Sequence, residues 1–317
     1  MGTWILPLFR LCAATLFCLC LSGGGLLWAE NTAAWRAYGF AREDLRKAPA
    51  ALKDRKTLAE IASLIASYPE ISHVTFKKGD WVLAFKNSQE LYWAQGRLLP
   101  EELRRNYKKY RPYISYRYPK KLEDPKNMTP ERIRRIKMNN TKAKRASMPA
   151  YEGSFFELIY RNYTRESLEA NLVRINFLDR KISVHRKIAH PLQRVNQKIV
   201  AASKKNSSVA RFLREVRSVQ SYAWRKIRGS TSMSFHSLAV AVDILPKNRQ
   251  KIIYWAWEAQ RNPNWPAAPL NQRWIPPKEV IDIFEENGFI WGGRWTLYDN
   301  MHFEYRPELL MLQRLDP

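Results

Sequence analysis

Five histidines, at positions 73, 185, 190, 236 and 302, are the chain's imidazoles, and its three cysteines all lie at Cys12, Cys18 and Cys20. A metal site downstream of residue 29 must therefore be built from His, Asp and Glu. Two of the histidines have surroundings suited to it. His236 lies in Ser234-Phe235-His236-Ser237-Leu238-Ala239-Val240-Ala241-Val242-Asp243-Ile244, and His302 closes Asp299-Asn300-Met301-His302-Phe303-Glu304. Two neutral imidazoles and one carboxylate leave a position on zinc for water, whose pKa zinc lowers to about 7. A further carboxylate must then take the proton and pass it to the leaving amine. Asp299 serves if the chain turns tightly before His302. Glu304 is its rival, because in a strand His302 and Glu304 share a face. The reading favours Asp299 as base, with Glu304 orienting a ligand from behind. His73, His185 and His190 read as surface or hydrogen-bonded core residues.

These side chains need particular elements beneath them. A His and an Asp seven residues apart would be ~10 Å apart along a helix and on opposite faces of a straight strand. The segment should therefore bend at His236 and feed a strand carrying Asp243, and the apolar run from Leu238 to Ile244 fits a buried strand. Later, Pro276-Pro277 opens a helix with Val280, Ile281 and Phe284 on one face and Gly288 past its end. Phe289-Ile290-Trp291 then reads as a short strand running into Gly292-Gly293.

Upstream, residues 30 to 68 carry apolar residues at helical spacing. Residues 73–76 and 81–85 flank Lys77-Lys78-Gly79-Asp80 as a β-hairpin. Residues 104–150, rich in Lys, Arg, Tyr and Pro, read as an extended basic connector. Helical spacing returns with Phe155, Phe156, Ile159 and Tyr160, continues through Leu168, Leu172 and Ile175, and recurs over 188–202. The expected organisation is a signal peptide over 1–29, an accessory region with a basic connector over 30–150, and a catalytic domain over 151–317. In 1–29 Arg10 is the only charge, Leu11 to Leu21 is apolar, and Ala29 is the small residue at the cleavage point. An uncleaved anchor is the alternative.

The net charge is +25. Such a balance would suit nucleic acid, but export removes that partner and leaves cell-wall polymers and anionic headgroups. Twelve tryptophans invite a sugar-stacking reading for Trp255, Trp257, Trp265 and Trp274, though core is the simpler role. Trp291 and Trp295 are expected to shape the metal pocket.

The two motifs together resemble the D-alanyl-D-alanine metallopeptidase family, which includes VanY-type D,D-carboxypeptidases and endolysin-type L-alanyl-D-glutamate peptidases. Ser234, His236, Ala241 and Asp243 match its first motif; Trp291, Gly292, Gly293, Asp299 and His302 match its second. The resemblance implies an α+β fold of the Hedgehog/D-Ala-D-Ala peptidase kind, with a small antiparallel sheet carrying the ligands and helices flanking it. It implies one Zn2+ held by His236, Asp243 and His302, with Asp299 as acid/base and a peptidoglycan stem peptide as substrate. It also implies an arginine ahead of the first motif to steady the scissile carbonyl, Arg225 or, second, Arg228. Asp299 with Phe303 and Glu304 is closer to the endolysin branch. One departure is Ala239, where the family carries Gly; the residue implies either regular backbone or slight strain. A binding protein for wall or anionic polymer with a vestigial metal site is the competing function.

Overall fold

A computed structural model describes residues 32–316, apart from Arg228 and Thr231. The expected signal segment and the cysteines lie outside the described residues. Helices come first, as the spacing predicts: α1 (Thr32–Arg36), α2 (Arg42–Lys47) and α3 (Arg55–Ser67). Asp54 caps α3 by accepting the Thr57 N–H at 3.0 Å. Leu58, Ile61 and Leu64 recur every three residues along α3 and are all buried. The expected hairpin follows as β1 (Ile71–Lys77) and β2 (Asp80–Phe85), joined at Lys78-Gly79, both at positive φ. A third antiparallel strand, β3 (Glu90–Tyr92), joins the other side of β2.

The basic stretch is more ordered than its composition suggests. It contains a 3-10 helix over Glu101–Lys109, then α4 (Pro130–Asn139) and α5 (Lys142–Ser147), each helix capped by a threonine, Thr129 and Thr141. Tyr113, Ile114 and Tyr118 are buried in the same apolar cluster as α3 and the last helix of the chain. Aromatic burial, which a charge-based reading overlooks, fixes this stretch.

Next come α6 (Ser154–Tyr160) and α7 (Arg165–Glu169). The helical pattern does not continue through Leu172 and Ile175. These residues lie in β4 (Leu172–Phe177), which pairs antiparallel with β5 (Arg180–His185). The turn uses Leu178 and Asp179, both at positive φ. Such a turn is ordinarily marked by Asn-Gly or Asp-Gly, so the punctuation that announces a hairpin is missing. Two helices then pack beside it, α8 (Arg186–Ser203) and α9 (Ser207–Glu215).

The second half of the chain builds the sheet that matters for function. Its strands are β6 (Val216–Gln220), β7 (Ala241–Pro246), β8 (Phe289–Trp291) and β9 (His302–Tyr305). They lie in the order β6-β7-β9-β8, antiparallel throughout. Short α10 (Trp255–Glu258) sits in the long β7–β8 connection, α11 (Lys278–Glu286) precedes β8, and α12 (Pro307–Leu315) closes the chain against α3. The α+β class with small antiparallel sheets stands as expected. No helix among the described residues is long and apolar enough to cross a membrane.

Glu60 is a charged residue inside this core. It is 6% exposed on the packed face of α3, and burial pushes its carboxyl up to about 7 from 4.5. The folded state thus holds a proton that the unfolded chain has released, and stability falls as pH rises from about 4.5 through about 7. Glu60→Gln should gain on the order of 1–3 kcal/mol at pH 8 and little at pH 4.5. Urea unfolding at both pH values checks this; an equal effect at both would refute it.

Candidate metal centre

The first motif bends as the spacing requires. The Ser234 hydroxyl accepts the His236 N–H at 3.3 Å, and its carbonyl accepts both the N–H and the hydroxyl of Ser237. This local knot turns the chain into β7. Ala239 closes the bend with a φ of +54°, so the position where the family has Gly does adopt the left-handed conformation. Ala239→Gly relieves the backbone and loses a small buried methyl, so it should stay within about 1 kcal/mol of wild type. Ala239→Val, β-branched at positive φ in a fully buried site, should lose about 2 kcal/mol or more. Thermal melts of the two variants separate these outcomes.

Register does the rest. Asp243 on β7 lies directly opposite His302 on β9. His236 is held by the segment that follows β6: its Nδ1 donates to the Ser221 carbonyl at 2.6 Å, and its own carbonyl accepts the Ala223 N–H. All three side chains are buried.

Hydrogen bonding fixes which atoms face inward. With Nδ1 of His236 donating to a carbonyl, Nε2 carries the lone pair. On His302, Nε2 lies 3.0 Å from Glu304 Oε2 and donates to it, leaving Nδ1 as the free acceptor. These two nitrogens and Asp243 Oδ1 form a triangle. Its sides are 3.2 Å between the nitrogens, 3.2 Å from His236 to Asp243 and 2.9 Å from His302 to Asp243. Donors bound tetrahedrally at ~2.0–2.2 Å stand roughly 3.3–3.5 Å apart, so a modest expansion admits an ion. Without an ion, a proton on these ring nitrogens bridges them to Asp243; with both imidazoles neutral, three lone pairs converge, and the group could hold a metal.

The electrostatics agree. Burial works against the Asp243 charge, but hydrogen bonds from His236 and His302 outweigh it and hold the carboxyl well below its usual range. Burial likewise opposes charge on His302, yet its two carboxylate partners raise its pKa well above the ordinary value. Asp299 goes the other way. Burial, with help from Asp243 and against the pull of His302, pushes its carboxyl up to about 7. Its Oδ1 is buried and has no hydrogen-bond partner.

The second motif explains itself sterically. A side chain at Gly292 would come within 2.7 Å of the Asp299 carbonyl oxygen, and one at Gly293 within 2.0 Å of the Trp291 ring. Only glycine lets the loop close, so that the Asp299 N–H reaches the Gly292 carbonyl and the His302 N–H reaches the Asp299 carbonyl. Trp291 is fully buried and donates its indole N–H to the Asn300 carbonyl at 2.8 Å. The Trp295 ring lies 5.4 Å from the His302 ring, with its indole N–H buried and unpartnered.

The other anticipated residues fall in different places. Glu304 engages His302 on the nitrogen away from the triangle, and its second oxygen faces Arg306. Arg225 is exposed on the loop after β6, while Arg228 lies outside the described residues. His185 is a core residue: it hydrogen-bonds the Tyr160 carbonyl and the Lys187 N–H. Trp265 is buried, Trp255 and Trp274 are partly buried, and Trp257 is 42% exposed. Two residues near the site went unmarked in the sequence. Tyr254 pairs with Asp299 through an isolated bridge, and burial together with the Asp299 charge pushes its phenol up to about 12. Arg145 on α5 stacks over Trp255 at 5.2 Å and, with Arg225, acts electrostatically on Tyr254. No spacing could have linked an arginine in a basic run to a motif ninety residues on.

Residues 228–305 match a family model described as D-alanyl-D-alanine carboxypeptidase. That segment holds His236, Asp243, Asp299 and His302, so the family match and the candidate ligand triangle fall on the same residues. Residues 60–115 match a second family model, a domain of unknown function. No curated protein and no solved structure matches the chain.

Proposed function

We propose that the chain is an exported, zinc-dependent peptidase that hydrolyses peptidoglycan stem peptides, as a D,D-carboxypeptidase or an L-Ala–D-Glu endopeptidase. The observation that carries this reading is the triangle of ligand atoms from His236, Asp243 and His302, with a buried Asp299 Oδ1 left unpartnered three residues before His302. His236, Asp243 and His302 would hold the ion. Bound zinc would supply a polarised carbonyl and an acidified water. Asp299 would serve as the general acid/base, and a carboxyl raised toward neutrality suits both accepting and returning a proton. Glu304 is spoken for by His302 and Arg306, which supports Asp299 as base. Arg225, with Arg145 alongside, steadies the oxyanion or a substrate carboxylate. Ser234 and Trp291 shape the two loops, and Trp295 walls the pocket.

Residues 151–317 would form the catalytic unit and 30–150 the accessory region, with the basic 104–150 stretch drawing the enzyme to anionic wall polymer or headgroups rather than to nucleic acid. Purified protein incubated with muropeptides of defined stem length, with and without chelator, tests the proposal by mass spectrometry. Loss of terminal D-Ala or cleavage after L-Ala, abolished by chelator and restored by zinc, is the expected result. Bound zinc with no product from any stem would favour the wall-binding alternative.

A further inference from the structure

Behind the triangle runs a line of buried charge that the site itself does not use. His302, Glu304, Arg306 and Glu308 alternate in sequence along the end of β9 and into α12. Glu304 and Arg306 meet at 3.5 Å, and Arg306 Nε donates to Glu308 Oε1. The other oxygen of Glu308 accepts the Tyr68 hydroxyl at 2.7 Å, and that hydroxyl lies 3.2 Å from the hydroxyl of Tyr113. Glu304 is 5% exposed, Arg306 2%, and Glu308 and Tyr68 not at all. The Arg306 guanidinium also sits 5.1 Å from the Tyr113 ring and 4.9 Å from that of Phe235, the neighbour of His236.

Burying an ionic chain is costly unless every member is paired, and it is weak evidence for stability alone. With the imidazoles neutral and Asp299 protonated, Asp243, Glu304 and Glu308 stand against the one guanidinium of Arg306, and the two remaining negative charges are what a divalent cation would cancel. Tyr68 ends α3 and Tyr113 lies in the basic stretch, so the chain starts on a metal ligand and finishes outside the segment that matches the peptidase family.

We propose that Glu304, Arg306, Glu308 and Tyr68 act as one positioning chain. It holds the Nε2–H of His302 toward Glu304 and would hold its Nδ1 toward the ion, so that Tyr68, at the end of α3, helps set metal affinity. The inference rests on reading His236, Asp243 and His302 as metal ligands. Apart from Glu304, these residues carry no sequence signal for such a role, since Arg and Glu are ordinarily exposed.

The test is a zinc titration of the full-length chain against a chromophoric chelator. Glu304→Gln should weaken binding by roughly 10–100-fold, and Tyr68→Phe, which deletes one hydroxyl, by about 3–10-fold. Their double variant should fall short of the product of the two, because both act through His302. Cobalt-loaded Tyr68→Phe should show a shifted visible absorption relative to wild type, a change that mere loosening of the fold would not produce. Glu308→Gln should match Tyr68→Phe or exceed it; if that variant does not fold, Tyr68→Phe decides alone. Wild-type affinity and spectrum in Tyr68→Phe, or strictly multiplicative effects, would overturn the proposal while leaving the metal site intact. A wild-type chain that binds no divalent ion would instead overturn the metal reading beneath it.

Discussion

Asp299→Ala should lower kcat/KM on the cleaved stem peptide by about 10³-fold or more, while zinc content stays at the wild-type level. The size follows from deleting a general acid/base, which is ordinarily worth 10²–10⁴. The retained metal follows from geometry, because Asp299 contributes no atom to the ligand triangle. Stability should move in the opposite direction to activity. The Asp299 carboxyl is raised from 3.8 to about 7, so the metal-free wild type loses stability as pH climbs through that window. The variant, lacking this carboxylate, should be flatter between pH 4 and pH 8, with Glu60 supplying the slope that remains, and no less stable at the upper end. Full activity in Asp299→Ala would remove it from the mechanism, and Glu304 would have to be reconsidered despite its engagement with His302 and Arg306.

Asp243→Ala should abolish both metal binding and hydrolysis. Asp243 Oδ1 is one corner of the triangle and lies within 3.2 Å of both imidazoles. Its loss removes a ligand outright, so the affinity should fall well beyond the roughly 10–100-fold typical of residues that only orient one. It also removes one of the two carboxylates that raise His302, whose pKa should fall in the metal-free variant while Glu304 still holds it up. Metal analysis after dialysis gives the first result and histidine NMR titration the second. A variant that keeps stoichiometric zinc would contradict the assignment of the site.

The parts of this site that were legible in the sequence are those fixed by short-range geometry. A bend at His236 and a strand at Asp243 follow from a seven-residue spacing that neither helix nor straight strand can satisfy, and β7 begins at Ala241. The period-two relation of His302 and Glu304 follows from strand geometry and appears as a 3.0 Å contact. Helix α11 and strand β8 were announced by prolines, a glycine and a run of apolar residues. What was not legible carries no local signal. The β4–β5 hairpin turns on Leu178-Asp179 without a turn signature. Tyr113, Ile114 and Tyr118 anchor a stretch whose charge suggested looseness. The Arg306–Glu308 pair is fully buried although both types are ordinarily exposed. The hairpin lacks its usual turn residues, and the other two are decided by partners distant in sequence, which one chain read alone does not name.

The most direct test of the central claim is the metal stoichiometry of the purified full-length chain, measured beside a His236→Ala/Asp243→Ala/His302→Ala variant that remains folded. The account predicts one zinc per wild-type chain and none in the triple variant. Equal zinc in both, or none in the wild type after reconstitution, would contradict it.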